Sequence, residues 1–419
     1  WSMRTRTTPR GQVPGGVASS RPSTSTASQT WRPQLTALAL GAAAFGCGDA
    51  RAPLSIGAAP SALRAAAQLR MPTPGRARLG EAVRANAACE ACHVEVAREW
   101  RGSLHQRADL EPAYRRAFAI EPLPFCRSCH APEAVPALEE PPEVAELGVG
   151  CVSCHLTGDD DRVLASPRVH TAPESAPHPV VRDARFATAS ACAGCHEFAF
   201  PGLRGGDVAE LMQSTVREHA ASASSDRSCA DCHMPTLEGT RRSHAFVASR
   251  SEEIVRSAVD VEVVRLDDRV RVVLRPKVSG HAFPTGDLFR RVEISVEVLG
   301  PDRLVLAREL RHLARHFELA PGATGRKLVR DDRVHHEPRT VEIPTPPSEQ
   351  REIAYRVAYQ RVAHPLDAGF EEAIVEGEIV IAEGLLAPPR SGAALDGAAA
   401  LSRDPAALRT DLRSGGVLP

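Results

Sequence analysis

The sequence predicts an α+β chain, with an irregular, mostly α-helical first part followed by an antiparallel β-sandwich. Between residues 86 and 250, five copies of the pattern Cys-x-x-Cys-His are separated by stretches rich in Pro, Gly and Asp, which interrupt long helices. After residue 255, apolar and polar residues alternate with a period of two, as in half-buried strands. The 419 residues are enough for two or three domains.

The outer boundaries follow from composition. Residues 1–50 are predicted to be a signal peptide or targeting segment, because the apolar run at 35–46 follows basic residues and has the length of a signal-peptide core. Residues 51–85 have the Ala-, Arg- and Pro-rich composition of a linker, and residues 388–419 form a loose tail. Cys47 ends the apolar run and is similar to a lipoprotein cleavage cysteine, so lipid attachment, cleavage nearby and a free thiol all stay open.

The spacing of apolar residues predicts the elements between these ends. Valines alternate with acidic residues over 259–263, as expected for a strand with one buried face. The same alternation recurs in three further segments, 292–298, 353–362 and 373–382. We therefore expect a β-sandwich domain over 251–387. Helical spacing at 94–101 and 208–220 predicts short helices in the first part.

Ten of the eleven cysteines belong to the five repeated motifs. The motifs are Cys89-Glu-Ala-Cys92-His93, Cys126-Arg-Ser-Cys129-His130, Cys151-Val-Ser-Cys154-His155, Cys192-Ala-Gly-Cys195-His196 and Cys229-Ala-Asp-Cys232-His233. This spacing is the attachment signature of c-type haem, because two thiols add to the two vinyl groups while the adjacent histidine binds the iron. The sequence therefore predicts a pentahaem cytochrome c domain over 86–250, with five covalently attached haem c groups.

Other uses of paired cysteines fit less well. A zinc site needs four ligands drawn from two pairs and gives no reason for a histidine after every second cysteine. A thioredoxin-like pair would occur once, beside a βαβ pattern. A disulfide framework explains the even number of cysteines and leaves the five histidines unexplained. Haem attachment accounts for both.

Charge and composition narrow the function further. Lys plus Arg number 51 and Asp plus Glu 52, so no basic excess favours nucleic acid as a partner. Aromatic residues make up only 4% of the chain, which leaves haem to fill much of the interior of the first part. With four methionines against sixteen histidines, methionine cannot be the general sixth ligand. A mostly bis-histidine set of irons favours low reduction potentials.

Short motifs around the cysteines carry a family resemblance over about residues 86 to 300. They are Trp100-x-x-Ser103-x-His105, Cys129-His130-Ala-Pro-Glu133, Gly148-Val-Gly-Cys151, Ala176-Pro-His178-Pro, Cys195-His196-Glu197-Phe198, Met212-Gln213-x-Thr215 and Cys232-His233-Met234-Pro235. With them the chain resembles the multihaem cytochromes c of the cytochrome c-554 and hydroxylamine-oxidoreductase-like group. In such proteins histidines between the motifs are distal ligands, so the resemblance implies this role for His105, His178 and His244.

Two further histidines are candidates for the remaining sixth positions. His281 lies in Gly-His-Ala-Phe-Pro-Thr-Gly, which looks like a recurring motif of the β domain appended to such cytochromes, and a turn of this kind presents its histidine rigidly. A satisfied turn histidine is the alternative. His170 lies in a Pro-rich loop, where an exposed histidine is an equally good interpretation. The role of His219 stays open between a core position and a ligand, and the others default to the surface: His312, His316, His335, His336 and His364.

These observations predict an exported electron carrier, located in the periplasm, anchored there by lipid or exposed at the cell surface. Its partners would be redox proteins of unknown identity, and haem-to-haem self-assembly stays open. The alternative is a multihaem oxidoreductase in which one five-coordinate haem acts on a small nitrogen or sulfur compound. An adhesive β protein would leave five covalent cofactors without a purpose.

Overall fold

A computed structural model describes the chain at residues 71–72, 79–134, 142–156, 162–167, 176–200, 210–237, 241–277, 280–319, 326–346, 351–364 and 373–388. All of them lie in the compact unit Gly57–Pro419. The predicted targeting segment with Cys47, the loop of His170 and almost all of the predicted tail fall outside these residues. No helix in the described ranges is both long enough and apolar enough to cross a membrane.

The first part consists of short helices, small two-stranded sheets and irregular connections. Its helices are α1 (Leu79–Cys92), α2 (Val94–Arg101), α3 (Pro112–Ile120), α4 (Pro124–His130), α5 (Pro142–Leu147), α6 (Cys151–His155), α7 (Ala193–His196), α8 (Thr215–Ala220) and α9 (Ala230–His233). A further helix, α10 (Glu252–Ser257), belongs to the second part, because its Val255 is buried in the core of the sandwich. Proline starts α3 and α4, where its fixed φ suits the first helical turn and its missing N–H costs nothing.

Six short strands pair within the first part. They are β1 (Val163–Ala165), β2 (Val180–Arg182), β3 (Glu197–Ala199), β4 (Leu211–Ser214), β5 (Thr236–Leu237) and β6 (Arg241–Arg242), paired β1 with β2, β3 with β4, and β5 with β6. The helix predicted at 94–101 is confirmed. The helix predicted at 208–220 is wrong in its first half, because residues 211–214 pair with β3 and only Thr215–Ala220 is helical.

The second part is built from antiparallel strands. They are β7 (Val259–Arg265), β8 (Arg269–Pro276), β9 (Arg290–Leu299), β10 (Val305–Leu313), β11 (Arg315–Leu319), β12 (Arg326–Asp331), β13 (Arg339–Pro344), β14 (Ile353–His364) and β15 (Ile374–Leu386). One sheet has the order β10-β9-β14-β15, a second has the order β13-β8-β7, and β11 pairs with β12. The predicted α+β fold with an antiparallel sandwich is confirmed.

The two larger sheets share one apolar core. Val270, Val272 and Leu274 of β8 and Val292 and Ile294 of β9 are completely buried in it. Since alternate residues of a strand point to one face, the period of two seen in the sequence places these branched aliphatic side chains between the sheets. This shared core stabilises the strands on either side of the segment containing His281, which connects β8 to β9.

Candidate functional site

Each Cys-x-x-Cys-His motif lies in or beside a short helix. The second and third motifs fall within α4 and α6, and the fourth and fifth have their first cysteine as the residue preceding α7 and α9. In a helix, residues at i, i+3 and i+4 share one face, so both thiols and the histidine point the same way. None of the ten motif cysteines is joined to another described cysteine by a disulfide. In the described ranges, no three His, Cys, Asp or Glu side chains converge as a zinc site would require.

Two glycines set the position of the third motif. Gly148 has a φ of +53°, and a Cβ there would lie 2.3 Å from the carbonyl oxygen of Gln106. A Cβ on Gly150 would lie 2.6 Å from Oδ1 of Asn86, which accepts a hydrogen bond from the backbone N–H of Cys151 at 2.7 Å. The Gly148-Val-Gly-Cys151 motif therefore brings the third motif close to the segment around His105.

The structure brings eight histidines together in four pairs, each joining a motif histidine to a predicted distal one. The distances between ring centres are 6.4 Å for His93–His178, 6.2 Å for His105–His196, 6.4 Å for His155–His244 and 6.1 Å for His233–His281. Two imidazoles on opposite faces of one iron have about 2 Å from metal to nitrogen and about 1 Å more to each ring centre, which gives roughly 6 Å. The four pairs therefore fit bis-histidine haem.

Hydrogen bonds fix which nitrogen of several rings is available. In five rings Nδ1 donates to a backbone carbonyl oxygen: His130 to Ala108 (2.6 Å), His155 to Leu164 (2.6 Å), His233 to Val247 (2.8 Å), His244 to Arg242 (3.0 Å) and His281 to Ala282 (3.0 Å). A carbonyl oxygen can only accept, so Nδ1 carries the proton and Nε2 keeps its lone pair for a metal.

Burial keeps two of the distal histidines neutral. Loss of hydration lowers the pKa of His105 to about 3, and the nearby rings of His196 and His130 act in the same direction. Burial lowers the pKa of His244 to about 4, with a further contribution from His155. Phe246 packs edge-on against His105, 4.2 Å between ring centres. Neutral imidazole is the form that binds metal ions, so burial leaves both rings in the protonation state that a ligand requires.

The turn that carries His281 is held by Glu218 of α8. Its Oε2 accepts hydrogen bonds from Thr285 Oγ1 at 2.7 Å and from the backbone N–H of Ala282 at 3.3 Å, and its Oε1 accepts from Ser214 at 2.7 Å. Arg333 donates to the same Oε1 at 2.8 Å. Through these hydrogen bonds, Glu218 connects α8 of the motif-bearing part to the turn of His281 and to Arg333 of the sandwich.

His130, the histidine of the second motif, is the one motif histidine outside the four pairs and has a different neighbour. Tyr114 of α3 stacks on its ring at 3.8 Å between centres with an interplanar angle of 9°, and the tyrosine hydroxyl bonds to Asp109 at 3.2 Å. Among the described residues, no histidine ring faces His130 at the separation seen in the four pairs. His170, the fifth predicted distal ligand, lies outside the described residues.

The remaining histidines are placed as follows. His219 is buried in α8 and interacts electrostatically with His281. His312 bonds to Glu293 at 3.1 Å, His316 to Asp332 at 3.0 Å and His335 to Asp331 at 3.3 Å. His336 is exposed, and His364 ends β14. None of these histidines takes part in the four ring pairs.

The thiols show how the motifs neighbour one another. Cys89 of the first motif contacts Cys151 of the third, Cys129 of the second contacts Cys195 of the fourth, and Cys192 of the fourth contacts Cys229 of the fifth. Cys154 of the third motif also interacts with Cys192 and Cys195. The fourth motif is therefore central, with the second, third and fifth around it and the first beyond the third.

The sequence did not indicate the residues that position the paired histidines. Glu218 and Arg333 are 115 positions apart, and their 2.8 Å contact exists only because the sandwich packs against α8. Tyr114 lies in a sequence without any motif. Thr215 was recognised within a short motif, but its 2.9 Å contact with Thr285 of the His281 turn was not foreseen. One feature of the sequence could have drawn attention to Glu218: it directly precedes His219, a histidine whose role the sequence leaves open, and both lie in α8.

Comparison with known proteins supports haem binding. A family model for cytochrome c554 and c-prime matches residues 88–156, which contain the first three motifs. The fold is similar to that of a penta-heme cytochrome c552 from Thermochromatium tepidum, with 21% sequence identity and a TM-score of 0.54, covering 74% of this chain and 99% of that chain. A search of curated protein sequences finds no match. The family match, which contains three of the five motifs, supports covalently bound haem of the cytochrome c type, and the structural likeness shows a shared fold.

Proposed function

We propose that the chain is an exported pentahaem c-type cytochrome that passes electrons between redox partner proteins. The observation that carries this proposal is the set of four histidine pairs, at 6.1 to 6.4 Å between ring centres. Bound haem c would supply one-electron chemistry at iron, and two histidines on each of four irons would leave those sites closed to substrates. Electron transfer without bond chemistry is the function that such closed sites serve.

The chain's own residues would hold and insulate these centres. Backbone carbonyls keep the protons on Nδ1 of His155 and His233, and burial keeps His105 and His244 uncharged. The thiol contacts that place the fourth motif in the centre support a branched path with ends at the first, second and fifth motifs. Such ends suit small, transient encounters with a donor and an acceptor.

Electron paramagnetic resonance of the oxidised holoprotein tests the four pairs. Replacing His105, His178, His244 or His281 with Ala removes one sixth ligand, so the integrated high-spin signal rises by one haem in each variant. His316→Ala is the matched control, because His316 bonds to Asp332 in the sandwich, and it leaves the spin count unchanged. An unchanged spin count in any of the four variants removes that residue as a ligand.

Export and haem number are part of the same proposal. Haem c is attached outside the cytoplasm in bacteria, so five attached haems require the chain to be exported. The mass of the mature chain gives both the haem number, expected to be five, and the processing site, since lipid on Cys47 adds its acyl chains to that residue. A mass with fewer haems would contradict the pentahaem proposal.

A second candidate function rests on His130, whose ring stacks on Tyr114. An open sixth position on its iron would make the chain an oxidoreductase acting on a small nitrogen or sulfur compound. A high-spin signal of one haem in the unaltered protein, unaffected by His170→Ala, supports this function. If the unaltered protein is entirely low-spin and His170→Ala creates one high-spin haem, His170 is the fifth distal ligand and the carrier function stands alone.

A further inference from the structure

A row of unusual residues crosses one sheet of the sandwich. Arg290 at the start of β9 lies directly opposite Arg361 of β14, and Arg361 lies opposite Gly377 of β15. Directly opposite residues in an antiparallel pair point to the same face, about 5 Å apart at Cβ, and like charges in this position are destabilising. Two arginines face each other where a sheet ordinarily places an apolar or oppositely charged pair.

The row has donors without acceptors. Arg361 is 9% exposed, and its Nε has no hydrogen-bond partner. The side chain of Tyr359, two positions earlier on the same face of β14, is also buried, and its Oη lies near the side chain of Ser249 without forming a hydrogen bond of ordinary geometry. Within the described residues, no carboxylate lies within ion-pair distance of Arg361, whose Nη1 donates to the carbonyl oxygen of Ser249 at 2.9 Å. A buried cation without a counter-charge is costly, so this arrangement calls for an anion.

Positive charge exceeds negative charge around the row. Nη1 of Arg290 lies 3.6 Å from Oδ1 of Asp287. Arg361 has no carboxylate at such a distance among the described residues. Burial, followed by repulsion from Arg290, lowers the pKa of Arg361. Arg250 at the outer edge of the group forms an ion pair with Glu111 and is repelled by both Arg361 and Arg290. The local carboxylates are therefore too few to neutralise these guanidinium groups.

Gly377 explains how the row is accommodated in the sheet, and the location of the row points to a binding role. A Cβ on Gly377 would lie 2.0 Å from Nη2 of Arg361, so the glycine lets the guanidinium lie across β15. Arg290 and Asp287 both act electrostatically on the ring of His130, which places the row beside the second motif. This is the one motif histidine without a facing histidine among the described residues.

We propose that Arg290, Arg361 and Tyr359 form an internal binding site for a small oxyanionic group, beside the haem that the proposed function places on His130. A guanidinium fork binds two oxygens of one anion, and the free Nε of Arg361 and hydroxyl of Tyr359 supply two further donors. The oxyanion has two sources of the same chemistry: a propionate carboxylate of that haem, or a free oxyanion from solution.

Titration calorimetry of the holoprotein with sulfate at constant ionic strength tests a free oxyanion. Saturable binding to one site is expected, and Arg361→Gln or Arg290→Gln weakens it at least about tenfold, since a charge-assisted hydrogen bond contributes about 1.5–3 kcal/mol. Tyr359→Phe, which keeps the ring and removes only the hydroxyl, weakens binding severalfold. Arg356→Gln is the control, because Arg356 lies on β14 but is paired with Glu378, and it leaves binding within about twofold.

A redox titration of the same variants distinguishes the second source. If the haem propionate occupies the site, sulfate shows no saturable binding, and Arg361→Gln moves the midpoint of one haem to lower potential because it removes a nearby positive charge. Arg361→Lys, which keeps the charge and loses the fork, serves if the glutamine variant does not fold. The proposal is overturned if sulfate does not bind and all midpoints stay unchanged, or if Arg356→Gln has equal effects. Neither outcome depends on the spin counts that test the histidine pairs.

Discussion

The two parts of the chain are stabilised in different ways. In the sandwich, one continuous core buries β-branched and aliphatic side chains from both larger sheets. In the motif-bearing part, the buried apolar clusters are small: one contains Ala82, Trp100, Leu147 and Val152, and another contains Ala131, Ala134 and Val144. Buried apolar area is the main source of folding stability, so the motif-bearing part needs another source. We expect covalent haem, packed among the motifs, to supply it.

This difference means that haem binding contributes folding free energy mainly to the motif-bearing part. A group that binds only the folded state stabilises it, and a covalent cofactor at the centre of a poorly apolar region does so most strongly. The sandwich should fold with or without the cofactors, while the motif-bearing part should not.

The largest effect is expected from removing a haem at the centre of the first part. The Cys192→Ala, Cys195→Ala double variant loses the haem of the fourth motif, which neighbours the second, third and fifth. We expect protease sensitivity and fast hydrogen exchange over residues 86–250, with exchange in β8, β9 and β14 unchanged. Limited proteolysis and hydrogen exchange read by mass spectrometry measure this. Loss of protection throughout the sandwich would contradict the comparison.

A substitution in the core of the sandwich tests the other part of the chain. Ile294→Ala removes a fully buried side chain of β9 and should cost about 2–5 kcal/mol of unfolding free energy by leaving a cavity. Chemical denaturation followed by circular dichroism measures this cost, while the haem absorption spectrum should stay the same in native buffer. Val305→Ala is the control, since Val305 is 51% exposed and its change should stay within about 0.5 kcal/mol. An altered haem spectrum in Ile294→Ala would show that the two parts are not separately stabilised.

A smaller effect is expected where the two parts meet. Glu218→Gln leaves Arg333 and Thr285 with a poorer acceptor and should cost about 1–3 kcal/mol. The held turn loosens, so a fraction of the haem on His233 becomes high-spin, which electron paramagnetic resonance detects. Glu318→Gln, at an exposed position of β11, should change neither quantity. Equal spin spectra for both variants would mean that Glu218 does not position His281.

The smallest effect is a pH dependence confined to the sandwich. The hydrogen bond from His312, opposed by burial, lowers the pKa of Glu293. A carboxyl whose pKa is lower in the folded state adds stability above its unfolded pKa, about 4.3, and this stability is lost as pH falls through the folded pKa. Glu293→Gln should flatten the unfolding free energy between about pH 5 and pH 3 by about 0.5–1 kcal/mol. An identical pH profile in the variant would contradict this role.

The strands of the sandwich and the haem motifs could be predicted from the sequence, because both are expressed in local patterns of residues. Alternation over 259–263 and 292–298 places apolar side chains on one face, and β7 and β9 form there. The haem motifs are local patterns whose chemistry is contained in five residues. The helix predicted at 208–220 was wrong at its start because residues 211–214 pair with β3, and strand pairing is a non-local interaction that helical spacing does not register.

Residues of the candidate site could be predicted only where they belong to a short sequence motif. The resemblance and the Phe-Pro-Thr-Gly turn selected His105, His178, His244 and His281, and the structure brings each of them to a motif histidine; their binding to iron remains a prediction. Glu218, Tyr114 and Arg361 could not be selected, because their roles depend on partners far away in sequence. Arg361 lies opposite Arg290 only through the pairing of β14 with β9.

The claim that connects the two parts is that the sandwich supplies His281 to the iron on His233. The two rings are stacked nearly parallel, at 8° and 6.1 Å between centres. A crystal structure of the oxidised holoprotein, with iron located by its anomalous scattering, tests this directly. The account predicts one iron between the two rings, bound by Nε2 of each at about 2 Å. An iron on His233 with any other sixth ligand, and His281 held only in its turn, would contradict it.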